Sequence, residues 1–181
     1  LNTEGFDKVY AEFCKHLGNS LNEIYLKKLF KEAYLEHDNL TDATRYLVNE
    51  LFGKYGLVII DGDAIQLKKQ FSPIVKDELL NNTSFIEVSK TVKNLEKDYK
   101  IQVNPREINL FYLKDNLRER IVLKNGFYKI NGTSISFSTE EILNEVKNHP
   151  ERFSPNVIMR PLYQETILPN LCYIGGGGEL A

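Results

Sequence analysis

Several things are scarce in this sequence, and each shortage removes a class of function. Only two cysteines, Cys14 and Cys172, occur in 181 residues. That is no disulfide framework, so a reducing, cytoplasmic setting is expected. Both thiols are expected to be buried and inert rather than nucleophilic. The net charge of −2 leaves no basic footprint for nucleic acid. No apolar run approaches the roughly 20 residues of a membrane span, so no membrane partner is expected. The three histidines, His16, His37 and His149, lack a metal-ligand spacing to a second histidine or cysteine, so no metal site is expected. No internal repeat occurs.

Glycine is concentrated in one place, Gly175-Gly176-Gly177-Gly178. The dinucleotide fingerprint needs a third glycine or alanine five residues after the first, and that position is Leu180. No Walker lysine follows either. The glycines still come directly after the apolar run Leu171-Cys172-Tyr173-Ile174, which reads as a buried parallel strand feeding a ligand-binding turn. A helix with free N–H groups is expected next. The sequence stops there, and Leu1 is not methionine, so a piece of a longer protein is expected. Glu179 would repel a phosphate and suits a protonated amine.

Hydrophobic residues make up 42% and charged residues 27%, ordinary for one domain with a sizeable core. Three helices lead the chain. Residues 4–17 place Phe6, Val9, Tyr10, Phe13 and Leu17 on one face. Ser20 to Glu23 reads as a capping box, opening a helix to about His37 with Ile24, Leu26, Leu29, Phe30 and Ala33 inward. Thr41 is expected to cap a third, with Ala43, Tyr46, Leu47, Leu51 and Phe52 inward. Leu57-Val58-Ile59-Ile60 then reads as a strand buried on both faces. It ends in Asp61-Gly62-Asp63, which can bind a cation or a ribose but more simply forms a turn.

Ser72-Pro73 predicts a helix start, and a second helix is expected over 85–99. Residues 108–113 read as a strand. Residues 119–123, 127–130 and 134–137 form an antiparallel meander, its first turn made by Asn125-Gly126. Ser138 to Glu141 is a capping box for a helix that ends before Pro150.

Asn156, Arg160 and Gln164 are spaced four apart, which one helix would gather on one side. Pro161 favours a helix that starts there instead. Arg160 suits bidentate grip on carboxylates or a phosphate, and pairing with Glu165 is its structural alternative. Gln164 can orient a sugar hydroxyl or amide. Asn109 and Arg118 are lesser candidates. No Ser-His-Asp or Cys-His arrangement can be read, so no catalytic residue is assigned.

Several ordered stretches carry a family resemblance. They are Leu51-Phe52-Gly53-Lys54-Tyr55-Gly56-Leu57-Val58-Ile59-Ile60-Asp61, Asn109-Leu110-Phe111-Tyr112, His149-Pro150-Glu151-Arg152-Phe153-Ser154 and Asn156-Val157-Ile158-Met159-Arg160-Pro161-Leu162-Tyr163-Gln164-Glu165, with a loop ending in Gly178-Glu179. From about residue 20 onward the chain resembles the cysteine-adding enzymes of bacillithiol biosynthesis. The resemblance implies a ligase that joins L-cysteine to glucosaminyl-malate in the last step of that pathway. It also implies a Rossmann-like core with inserted segments, and a homodimer formed through a coiled coil beyond this chain. ATP or ADP is the nucleotide it brings into question, with its chemical role open. The substrate-binding residues expected are Asn156, Arg160, Gln164, Gly176, Gly177, Gly178 and Glu179. Members usually carry proline where Gly177 stands, and the glycine loosens the loop.

The fold class expected is α/β, a partial Rossmann-like core with helical and β-meander insertions. Residues 1–54 form a helical segment and 55–181 the core, with the meander at 119–137. The alternatives are a non-catalytic nucleotide- or sugar-binding α/β domain and an interaction module.

Overall fold

The computed structural model describes residues 3–177. It divides into two units, Leu1–Asp61 and Gly62–Ala181.

The first unit is helical: α1 Phe6–Leu17, α2 Glu23–Leu35 and α3 Leu40–Phe52. Phe30 of α2 gathers the aromatic face, stacking on Phe13 at 4.4 Å and meeting Tyr34 at 4.8 Å and Phe6 at 5.8 Å. Leu29, Ala33 and Ala43 are buried as expected. Ile24, Val9 and Phe52 are exposed instead, because three short helices cover less than the full width of each apolar face. The capping box at Ser20 does not form. Asn22 is the N-cap of α2 and makes no side-chain cap bond. Thr41 does not cap α3 either. Asn39 does, its side chain accepting from the Asp42 N–H at 2.9 Å.

A 3-10 turn, Gly53–Tyr55, ends at Gly56, whose φ of 85° needs a residue without a Cβ. Residues 57–60 then form no helix or strand and have no strand partner among the described residues, and Val58 is 78% exposed. The buried parallel strand expected here is not formed.

The second unit holds the sheet. Helix α4, Ile65–Asn81, is longer than expected and passes straight through Pro73. Phe71, Val75 and Leu79 form its buried stripe, and that burial outweighs the roughly 3 kcal/mol that proline costs inside a helix. Asn82, at φ 53°, breaks α4 from α5, Thr83–Leu95.

The strands are β1 Leu110–Lys114, β2 Leu117–Lys124, β3 Phe127–Ile130, β4 Ser136–Phe137 and β5 Phe153–Pro155. They form one antiparallel sheet in the order β4-β3-β2-β1-β5. The meander is as expected. Lys124 pairs with Phe127 across Asn125-Gly126, both at positive φ, as a primed two-residue turn requires. Helix α6, Thr139–Asn148, carries a complete capping box between Ser138 and Glu141. Helix α7, Arg160–Ile167, follows β5.

One core joins these elements: Phe71 and Leu79 of α4, Tyr112 and Ile121 of the sheet, Ile142 of α6 and Tyr163 of α7. At its edge the Tyr112 hydroxyl donates to Glu145 at 2.7 Å, and Arg152 donates to the same oxygen at 2.6 Å. Burial alone would raise the Glu145 carboxyl, but these two bonds outweigh it and hold the group below its ordinary range. Beyond α7, Leu171–Ile174 is not a strand. Leu171 and Ile174 are 107% and 92% exposed, and Cys172 is exposed rather than buried. Cys14 is half-buried.

Candidate functional site

Two buried side-chain oxygens accept no hydrogen bond among the described residues, Glu151 Oε2 and Gln164 Oε1, and the second lies on helix α7. That helix starts at Arg160 with Pro161 in its first turn, so the helix expected at the proline is the one that forms. Arg160 and Gln164 lie four apart within it, neighbours on its surface. Arg160 is exposed, and its guanidinium makes no hydrogen bond or ion pair among the described residues. Its structural alternative is taken: Glu165 accepts from the backbone and side chain of Asn170, both at 3.0 Å. The Gln164 Oε1 is buried and accepts no hydrogen bond among the described residues. A buried acceptor without a donor costs about 1–3 kcal/mol, so such a group marks a place where a ligand donor is useful.

Asn156 serves the entry to this helix. Its Oδ1 accepts from the N–H groups of Ile158 at 2.9 Å and Met159 at 3.3 Å, and its Nδ2 donates to Asn109 Oδ1 at 2.8 Å. The Arg160 N–H donates to the Asn156 carbonyl at 2.9 Å. Both ends of the Asn156 amide are thus used within the protein, and they fix where Arg160 begins.

Behind Asn156 lies a buried polar network that the sequence reading missed. Glu78 is 1% exposed and Asn109 0%. Glu78 accepts from the Asn109 N–H at 2.8 Å, from Ser84 N–H at 3.0 Å and from Ser84 Oγ at 2.7 Å. Asn109 Nδ2 also donates to the Arg106 carbonyl at 2.7 Å. A buried carboxyl is tolerable only with such partners. A second missed residue is Lys68, 3% exposed, whose ammonium donates to the Phe153 carbonyl at 2.8 Å and lies 3.1 Å from Asp63. The Asp61-Gly62-Asp63 segment makes a turn, as preferred. Arg118 stacks over the Phe111 ring at 3.8 Å, which occupies it within the sheet.

The glycines show no such packing. Gly176 and Gly177 are exposed, neither is left-handed, and a Cβ added to either meets nothing within 4 Å. No close backbone approach there requires glycine. Gly178 and Glu179 lie outside the described residues. Within the helical unit, a cleft of about 640 Å³ is lined by His37, Asp42, Arg45, Tyr46, Asn49 and Val58, among others. It contains none of the substrate-binding residues expected from the sequence.

The whole chain, residues 1–181, matches the family model described as "Bacillithiol biosynthesis BshC, N-terminal Rossmann-like domain". The chain belongs to the BshC family. BshC relatives named "Putative cysteine ligase BshC" include those of Flavobacterium johnsoniae and Flavobacterium psychrophilum, 60% and 61% identical over all of this chain. The Salinibacter ruber BshC is 35% identical over 99% of it. The chain spans about a third of the length of these curated relatives, 34%, 34% and 33% respectively. The BshC resemblance expected from the ordered stretches is therefore correct. The fold is mixed helix and sheet, and the family model describes a Rossmann-like domain. No helix among the described residues is long and apolar enough to cross a membrane.

Proposed function

We propose that this chain is part of an enzyme that joins the carboxyl group of L-cysteine to the amine of glucosaminyl-malate, and that α7 holds the malate end of that substrate. The observation that carries the reading is the pair on α7, four residues apart: among the described residues the exposed guanidinium has no partner and the buried glutamine oxygen no donor. A guanidinium fork matches a carboxylate bidentately. A dicarboxylate gives it two such groups. Gln164 Oε1 accepts from a sugar hydroxyl or an amine. Gly176, Gly177, Gly178 and Glu179 are assigned to the same substrate in this reading, Glu179 because a carboxylate suits a protonated amine.

Condensing a carboxylate with an amine in water needs the carboxyl activated, and ATP is the reagent a ligase would use. The described residues offer no lysine-bearing phosphate loop. What this chain contributes is binding and orientation of the amine substrate. The enzyme in this reading is cytoplasmic and works as a homodimer.

The test uses the full-length protein with cysteine, glucosaminyl-malate and ATP, following thiol product and nucleotide hydrolysis together. Product formed without nucleotide consumption rejects the ligase mechanism. Binding without product favours a non-catalytic sugar-binding domain. In the active enzyme, Arg160→Ala is expected to raise KM for glucosaminyl-malate about 10- to 100-fold, the worth of hydrogen bonds to a charged group. An unchanged KM removes Arg160 from the site.

A further inference from the structure

Helix α7 is 8 residues long, too short to hold its own direction in water, so tertiary contacts must aim it. Asn156 fixes its entry. Tyr163 fixes its far side. The Tyr163 ring packs on Phe71 with centroids 4.9 Å apart, and its hydroxyl donates to the Gly62 carbonyl at 2.7 Å. The buried Lys68 ammonium sits 5.8 Å from the centre of the same ring. It reaches Phe153, the first residue of the strand that leads into Asn156, and it pairs with Asp63. The Gly62-Asp63 turn is therefore tied through Tyr163 to α7 and through Lys68 to β5. Burying an ammonium is costly, and an apolar side chain of similar volume is often as good for cohesion alone. The two ties hold one thing in common, the segment that begins and carries Arg160.

We propose that Tyr163 and Lys68 are positioning residues that set the rotation of α7, and with it the direction in which Arg160 meets a carboxylate-bearing ligand. This rests on the reading of Arg160 given above. Tyr163 follows Arg160 by three residues, so the two are neighbours on the helix surface, with Cβ atoms about 5–6 Å apart. A helix released from the Gly62 carbonyl can roll, and a small roll takes a guanidinium fork out of bidentate register.

The test is a double-mutant cycle in the full-length protein: Tyr163→Phe, Arg160→Ala and both together. Lys68→Met takes the side-chain donor from the Phe153 carbonyl as well as the tie to Asp63, so it changes two contacts at once, whereas Tyr163→Phe removes one hydrogen bond and keeps the ring and its packing. Tyr163→Phe is expected to raise KM for the amino-sugar dicarboxylate about 5- to 10-fold, one hydrogen bond's worth, with kcat and the melting temperature little changed. In the Arg160→Ala background the same substitution is expected to add nothing. An unchanged KM in Tyr163→Phe, or an equal rise with and without Arg160, overturns the proposal. Calorimetric titration with malate reads the same cycle without turnover. A parent protein that forms no product but binds malate through a coupled Tyr163–Arg160 pair sinks the ligase reading and keeps this one. A parent that binds no malate sinks this one.

Discussion

Glu78→Ala tests whether the network behind α7 holds the second unit together. Glu78 does from six residues upstream what a cap does for a helix. Asn82, the N-cap residue of α5, makes no side-chain cap bond, and the Ser84 N–H in the first turn goes to Glu78 at 3.0 Å instead. The same carboxyl takes the N–H of wholly buried Asn109 at 2.8 Å. Truncation leaves some donors with other partners. Asn109 Nδ2 keeps Ser84 Oγ and the Arg106 carbonyl, both at 2.7 Å. The Ser84 N–H is half-buried, and water can reach it at a cost of about 1 kcal/mol, the worth of a cap. The Asn109 N–H has no replacement, which costs about 1–3 kcal/mol. With the cavity left by the side chain, the sum is about 3–5 kcal/mol. For a domain of this size that lowers the melting temperature by roughly 10–20 °C. Glu78→Gln keeps one acceptor and sets an amide donor against a donor, so it should fall between parent and alanine variant. Circular dichroism melting of the 181-residue chain measures all three. An alanine variant melting within about 3 °C of the parent would show that water or relaxation replaces the carboxyl, and the account of α5 would be wrong.

Two further perturbations test the second unit. Burial, with the hydrogen bond to Glu145 adding to it, pushes the Tyr112 hydroxyl up to about 12. Its folded value lies above the unfolded one, so its contribution is whole below about pH 10 and is lost as pH rises from there through about 12. Tyr112→Phe should flatten that alkaline limb in pH-dependent denaturation; a limb of the same steepness would place the titrating group elsewhere. Ser138→Ala breaks a capping box whose two bonds measure 3.3 and 2.7 Å, at a cost of about 1 kcal/mol, and should speed amide exchange across α6 about fivefold while leaving α4 unchanged.

The parts of the fold legible in sequence are those where a local rule has one solution. Asn125-Gly126 between alternating strands demands positive φ at both residues, and only a tight hairpin uses that. Ser138 lies three residues before Glu141 and directly before the apolar stripe of Ile142 and Val146, so pattern and cap agree. Ser20 and Glu23 have the same spacing, but the helix begins at Glu23 itself, which puts Ser20 outside the cap. Pro73 misled for a different reason. The proline rule is a penalty, and the stripe Phe71, Val75, Leu79 overrides it through contacts that sequence does not display. Lys68 and Glu78 were invisible on the same ground. Each looks like a solvated helix residue, and one partner of each, Phe153 for Lys68 and Asn109 for Glu78, is 85 and 31 residues further along the chain. That Arg160 and Gln164 share one helix is legible because their spacing is local. That Asn156 serves the protein's own turn is not, because its partner Asn109 is 47 residues away.

The two apolar runs expected as strands show the limit of that kind of reading. Leu57–Ile60 and Leu171–Ile174 have strand length and strand composition, but a continuous apolar run carries no period to say what covers it. Burying a leucine, isoleucine or valine side chain is worth about 1.5–3 kcal/mol, so each run gains much from cover. Sheet membership needs more than that gain: a neighbouring strand must offer N–H and C=O groups in register. β1 has such neighbours on both sides, in β2 and β5. Neither apolar run has one among the described residues, and exposed backbone groups are satisfied by water instead. Apolarity therefore sets how much a segment stands to gain from a sheet, while the pairing partner decides whether it joins one.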